Sequence, residues 1–305
     1  MALKLIFMGT PDFAVPILKT IIEYGHKIVA VYTQNPKKSK RGQKINISPI
    51  HKFSNEKNLN VRTPLKLDNI EKNYIQKLKP DFVIVAAYGK IIPTEILNIK
   101  GLMFINAHAS LLPKWRGAAP IQRSLIQMDK QTGISIMKII PKLDAGPYIL
   151  QEKMDIELHD NYKSLSEKLS ILASKLILES LNMLKSNKLN FFEQEEDKAT
   201  YAKKIQKNET KIKWNLSANQ VVAKINALSP TPGAWFNYKN TRFKILKAQE
   251  VDKSGLSGKT LDDKLTIACG KKAIKIIEIQ KEGKQILKTE QFLAGFKIGK
   301  GEELF

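Results

Sequence analysis

The sequence predicts an α/β fold: a doubly wound, mostly parallel Rossmann-like sheet, followed by a C-terminal antiparallel β-barrel of the OB-like type. Three observations carry this expectation. Up to residue 184, apolar runs of strand length alternate with longer stretches whose apolar residues recur at helical spacing. A polar, acid-rich stretch then interrupts both patterns. Beyond it, short apolar runs follow one another closely, punctuated by Pro, Gly and Ser, as in a small antiparallel barrel.

Residues 3–8 form the first strand, and the Gly9-Thr10-Pro11-Asp12 that follows suits a helix start. Phe13, Ile17, Leu18, Ile21 and Ile22 make a helical stripe that ends near Gly25. Residues 27–32, 82–87 and 102–107 are further strands, with helices over 49–57 and 69–78, the latter stopped by Pro80. Such βαβ alternation implies a parallel sheet covered on both faces. Residues 134–140 are another strand-like run, and the helical spacing over 165–184 predicts a helix on the outside of the sheet. The polar segment 187–208, with Glu193-Gln194-Glu195-Glu196-Asp197, reads as a connection between domains. Strands over 233–236, 242–248, 265–268 and 273–279 follow, with one helix over 221–228. The division expected is a catalytic domain over 1–188, a linker over 189–207 and a basic barrel domain over 208–305.

Composition narrows the class. At 305 residues the chain is long enough for two cores, and 43% hydrophobic with 8% aromatic residues is ordinary for a folded, soluble protein. No apolar run reaches bilayer length, and the first residues have too short an apolar core for a signal peptide. Cys269 is the only cysteine, which excludes an intrachain disulfide and a multi-cysteine metal site and suits a cytoplasmic protein. No metal is expected.

The net charge of +22 admits two readings. Of 51 basic residues 46 are Lys, a skew that biased genome composition produces. The distribution argues for more. Residues 203–305 hold 21 Lys and Arg against 10 Asp and Glu, a net +11, whereas the preceding 202 residues spread the same +11 over twice the length. A surface that meets a phosphate backbone has this density.

Two loops open onto the carboxyl edge of the expected sheet. Gly9-Thr10-Pro11-Asp12-Phe13 occupies the place of a phosphate loop but lacks both glycine-rich patterns, so it reads as a tight turn bordering the substrate. Residues 33–48 contain Lys37-Lys38-Ser39-Lys40-Arg41-Gly42-Gln43-Lys44, either a solvated loop or one that orders on an anionic partner. Its position favours the second reading.

The chemistry centres on Asn106-Ala107-His108, directly after the apolar run 102–105. Alternation along a strand sends Asn106 and His108 to the same side, at the end where open α/β sheets hold ligands. Asp144 arrives at a turn after the run 134–140. An amide donor, an imidazole and a carboxylate are what transfer of an acyl group to an amine requires.

The longer pattern, with Ser110-Leu111-Leu112-Pro113 and Trp115-Arg116-Gly117-Ala118-Ala119-Pro120, resembles the folate-dependent formyltransferase family, and Leu228-Ser229-Pro230-Thr231-Pro232-Gly233-Ala234-Trp235 extends the likeness to the barrel. The resemblance implies 10-formyltetrahydrofolate as co-substrate and the amino group of charged, methionyl initiator tRNA as acceptor, with no obligate protein partner. It implies Asn106, His108 and Asp144 as the catalytic trio. It places Ser110, Leu111, Leu112 and Pro113 along the folate, with Tyr88 and Gly89 beside it. It assigns Lys37, Lys38, Lys40 and Arg41 to tRNA.

Rival readings meet specific objections. Formylation of an amino sugar nucleotide or of glycinamide ribonucleotide leaves the basic segments unexplained, and the missing phosphate loop counts against the latter. A non-catalytic RNA-binding relic would not need an intact trio. A Rossmann dehydrogenase lacks its dinucleotide fingerprint.

Overall fold

The computed structural model describes residues 2–39, 44–186 and 190–305. They fall into two compact units, one of Met1–Ala118, Thr132–Met154 and Ser166–Ala202, the other of Ala119–Gln131, Asp155–Leu165 and Lys203–Phe305. In chain order the elements are β1 (Lys4–Gly9), α1 (Ala14–Glu23), β2 (Lys27–Tyr32), β3 (Lys37–Ser39), β4 (Lys44–Asn46), α2 (Pro49–Glu56), β5 (Val61–Arg62), α3 (Asn69–Leu78), β6 (Phe82–Ala86), α4 (Thr94–Leu97) and β7 (Met103–His108). Then come α5 (Pro120–Ile126), β8 (Gln131–Lys138), β9 (Tyr148–Asp155), α6 (Tyr162–Lys185), α7 (Ala218–Leu228), β10 (Ala234–Tyr238), β11 (Thr241–Val251), β12 (Thr266–Ala268), β13 (Ala273–Lys281), β14 (Ile286–Lys288) and α8 (Thr289–Gly295).

The first unit is built on a sheet in the order β5-β2-β1-β6-β7-β8-β9. The pairs β2–β5, β1–β2, β1–β6 and β6–β7 are parallel, and β8 runs antiparallel to β7. Strands buried on both faces must be apolar throughout. β1 and β6 meet that demand: Leu5, Ile6, Phe7 and Met8, with Val83, Ile84, Val85 and Ala86, are all buried. One face packs Ile6, Met8, Tyr32, Val83 and Phe104 into a single cluster with Ile75 and Ile96. The chain reverses its direction of winding between β1 and β6, so the crevice outside their carboxyl ends is the expected ligand site. There Thr10 Oγ1 donates to the Tyr88 carbonyl at 2.8 Å.

Local signals explain the helices beside the sheet. Ser48 caps α2 by accepting from the His51 N–H at 3.0 Å, and Pro49 stands at its first position. Asp68 caps α3 by accepting from the Ile70 and Glu71 amides. Within the basic segment expected to form a loop, β3 and β4 pair antiparallel, Lys37 opposite Asn46. Lys40 and Arg41 lie outside the described residues. No described helix is long and apolar enough to cross a membrane.

The second unit is an antiparallel, curled sheet in the order β10-β11-β13-β12, with β14 also paired to β13. Register irregularities in β11 on either side of Lys247 bend the strand where the sheet must curl. Alternation places Ala234, Phe236 and Tyr238 of β10 inward, in one core with Phe243 and Ile245 of β11, Val221 and Ile225 of α7 and Phe292 of α8. Phe243 stacks on Phe236 and meets Phe292 edge-on. Helix α5 belongs to this unit and packs on α7.

Candidate active site

Asn106 and His108 lie at the carboxyl end of β7. Asn106 is the last residue paired with the parallel neighbour β6, opposite Val85, while β8 pairs both, Asn106 opposite Met137 and His108 opposite Ser135. The strand's alternation puts their side chains on one side, as the spacing predicts. His108 is 5% exposed, while Asn106 is half-buried and its amide has no partner among the described residues. A donor left free beside a buried imidazole is available to a substrate.

Two backbone groups of one short segment organise the site. His108 Nε2 lies 2.9 Å from the Trp115 carbonyl oxygen. A carbonyl only accepts, so this contact puts the proton on Nε2 and leaves Nδ1 with its lone pair. Nδ1 stands 3.7 Å from Asp144 Oδ2, beyond a hydrogen bond but close enough for charge to act. The same carboxylate oxygen accepts from the Gly117 N–H at 2.8 Å. The Trp115 carbonyl, rather than the Asp144 carboxylate, is the group within hydrogen-bond distance of the ring, and Asp144 faces the other nitrogen. Trp115 and Asp144 both have left-handed backbones, φ +62° and +44°. That conformation is unfavourable for residues with a Cβ and clusters at functional sites.

The other expected contacts divide by what they expose. Ser110 and Leu112 are buried, and both are bonded into the scaffold. Ser110 Oγ donates to the Lys114 carbonyl, Ser135 Oγ donates to the Ser110 carbonyl at 2.6 Å, and the Leu112 N–H donates to Ser135 Oγ at 3.0 Å. Gln151 Nε2 completes the group by donating to the Leu112 carbonyl at 2.8 Å. Leu111 and Pro113 remain half-buried, so they are the parts of this segment that present side chains. Tyr88 is buried, with its hydroxyl unpartnered among the described residues and its pKa pushed up to about 12 by burial and then by the charge of Glu71. Gly89 is exposed at φ +75°, and the Gln34 side chain lies where a Cβ would stand. Of the basic segment, Lys37 and Lys38 contribute backbone to β3. Among the described residues no group of three His, Cys, Asp or Glu is placed to hold a metal.

Sequence reasoning missed a set of supports. Arg116 is the largest fully buried side chain, its Nε donating to Gln194 Oε1 at 3.0 Å and its Nη1 to the Glu196 carboxylate. Gln194 Nε2 donates to the carbonyls of Asp144 and Gly146, at 2.9 and 2.7 Å. The Trp115 and Arg116 amides donate to Thr200 Oγ1 and the Thr200 carbonyl. Residues 194–202 therefore belong to the first unit and brace both the 115–117 segment and the 144–146 loop.

Comparison with known proteins adds the decisive observation. Residues 3–181 match the family model described as formyl transferase, and residues 204–297 match formyl transferase, C-terminal domain. The methionyl-tRNA formyltransferase of Pelagibacter ubique is 52% identical over 100% of this chain and 99% of its own length. The chain belongs to the methionyl-tRNA formyltransferase family. As a member of that family it is a formyl-transferring enzyme. Solved structures show the same fold at low identity. The methionyl-tRNA formyltransferase from Clostridium thermocellum aligns at 19% identity with a TM-score of 0.57, over 82% of this chain and 94% of its own. HypX from Aquifex aeolicus, solved with tetrahydrofolic acid, aligns at 14% identity with a TM-score of 0.70, over 96% of this chain and 47% of its own.

Proposed function

We propose that this methionyl-tRNA formyltransferase family member moves the formyl group of 10-formyltetrahydrofolate to the amino group of methionyl initiator tRNA, using Asn106, His108 and Asp144. The observation that carries the assignment of roles is the imidazole with one nitrogen committed to the Trp115 carbonyl and the other turned toward Asp144.

The neutral acceptor amine attacks the formyl carbon, forming the new C–N bond. Negative charge gathers on the formyl oxygen, where the free amide of Asn106 donates a hydrogen bond; removing one such donor costs roughly 10² to 10³ in rate. His108 Nδ1 takes the proton the attacking nitrogen sheds. The resulting imidazolium is stabilised by the Trp115 carbonyl at one nitrogen and the Asp144 charge at the other. It returns a proton to N10 of the folate as that C–N bond breaks, so no covalent enzyme intermediate is required.

Folate lies along the half-buried Leu111 and Pro113 edge, with Ser110 and Leu112 setting the backbone of that edge and Tyr88-Gly89 bordering it. Lys37, Lys38, Lys40 and Arg41 contact the acceptor end of the tRNA, and the basic unit over 208–305 contacts its phosphates. The deciding experiment mixes labelled formyl donor with methionyl initiator tRNA, with a small amino sugar nucleotide, or with a methionine ester. Label transfer to the charged tRNA alone is expected. Transfer to the sugar at comparable efficiency overturns the acceptor assignment.

A further inference from the structure

Gln194 sits in the acid-rich stretch whose sequence suggests only a connection between domains. Its position is unusual among the described residues. Its carboxamide oxygen accepts from Arg116 Nε, and its nitrogen donates both hydrogens, to the Asp144 and Gly146 carbonyls. One side chain thus joins the segment that orients His108 to the loop that carries Asp144. Besides the Gly117 N–H, which donates to the Asp144 carboxylate at 2.8 Å, one further tie joins the two loops among the described residues. That tie, Lys142 Nζ to Glu196 at 2.7 Å, joins two side chains that are each 57% exposed. An exposed pair of this kind contributes little.

The Asp144 loop has reason to need a brace. Asp144 lies in the left-handed region, and Gly146 packs so closely that a Cβ there would stand 1.9 Å from the Lys138 carbonyl. Opposite it, Arg116 is a guanidinium with no exposure, and its Nη2 has no partner among the described residues. A buried cation with an incomplete set of acceptors holds hard to those it has. Gln194 converts that anchor into a fixed distance between Gly117, whose N–H carries the Asp144 carboxylate, and the backbone of Asp144 itself.

We propose that Gln194 is a positioning residue for the formyl transfer: it sets the separation of Asp144 from His108 by tying the 144–146 loop to Arg116. The proposal rests on the reading of His108 and Asp144 as catalytic. Displacing a reacting group by about 1 Å costs on the order of 10² in rate, so a loosened loop acts on kcat and leaves substrate contacts in place.

The test compares Gln194→Ala, Gln194→Glu and Asp144→Asn with the wild-type chain. Glutamate is nearly isosteric, keeps a charged acceptor for Arg116 and loses both donors to the loop. A side chain needed only to satisfy Arg116 would be replaced by it without loss. We expect both Gln194 variants to lose about tenfold or more in kcat, with KM for folate donor and for tRNA within about threefold. Gln194→Glu turns an acceptor toward the Asp144 and Gly146 carbonyls, so its melting temperature should fall modestly, and kcat is compared at a temperature where the variant is fully folded. Wild-type kcat in Gln194→Glu would reduce the residue to a partner for Arg116 and overturn the proposal. If Gln194→Ala does not fold, Gln194→Glu decides alone. Wild-type kcat in Asp144→Asn would instead remove the catalytic reading itself.

Discussion

In the proposed transfer Asn106 and His108 act on one reacting centre by different means, so their replacements separate hydrogen-bond donation from proton transfer. Asn106→Ala removes a donor aimed at developing charge, and His108→Ala removes the base. Both should abolish or nearly abolish single-turnover formylation while folate binding stays within about tenfold, because both effects are confined to the transition state. Near wild-type turnover in either variant would take that residue out of the trio. Asp144→Asn keeps an oxygen to accept from Gly117 but removes the charge 3.7 Å from His108 Nδ1. We expect a loss of at least about two orders of magnitude in rate with an unchanged melting temperature. A loss under tenfold would leave Asp144 a purely structural role. That Asn106 and His108 share one side of a strand end was legible in the sequence, because alternation needs only their spacing. The Trp115 carbonyl and the Gly117 amide were not, since any residue offers those groups and only the folded backbone aims them. Gln194 lay hidden for a similar reason: among Glu193, Glu195, Glu196 and Asp197 it reads as one more polar group.

Elements with an autonomous signal were read correctly. Helix α3 spans the predicted residues because the Asp68 cap and Pro80 mark its ends, and α2 and α7 start or stop within a few residues of expectation. Those without one were missed. Strand β9 mixes Tyr148, Ile149 and Leu150 with charged residues at the margin of the sheet, and β5 is two residues long. β3 and β4 are hidden in a lysine-rich run that reads as a loop, either solvated or ordered on an anionic partner. One element pair carries its own pH dependence. Glu71 on α3 accepts bidentate bonds from Arg62 of β5 at 2.9 and 2.7 Å and one from the Tyr32 hydroxyl of β2 at 2.8 Å. Burial by itself would raise the Glu71 pKa, but the bonds from Arg62 and then Tyr32 outweigh it and hold the carboxyl below its ordinary value. Because the folded pKa is the lower one, this stabilisation is fully present above the unfolded value of about 4.3 and is lost as pH falls through the folded value. The melting temperature of Glu71→Gln should therefore fall furthest below wild type near neutrality, with the gap closing below about pH 4. A gap independent of pH would mean that packing, not charge, sets the contribution of Glu71.

The whole molecule adds a charge distribution to this site, and its role in recognition is measurable. Deleting residues 208–305 is an unsuitable test, because α5 belongs to the second unit and packs on α7, so the cut would strip a helix that remains in the chain. Neutralising charges on the folded unit avoids this. On the outer side of β10 and β11, the Arg242 guanidinium lies 4.0 Å from the centre of the Trp235 ring and Lys211 Nζ lies 5.8 Å from it, while Lys244 is paired opposite Trp235. These side chains face away from the core, so Lys211→Gln, Arg242→Gln and Lys244→Gln together should leave the folate site and the melting temperature nearly unchanged. If the group meets tRNA phosphates, each lost contact should reduce the slope of log K against log salt by about 0.7 to 0.9 and raise the apparent KM for tRNA. Arg41→Ala, tested alongside, should impair tRNA use far more than donor binding, because a planar guanidinium serves phosphate in a way Ala cannot. Formylation measured against tRNA concentration at several salt levels gives both readings from one data set. A triple variant with the wild-type KM and salt slope would assign the charge of this face to composition, and the phosphate contacts would then have to lie elsewhere on the chain.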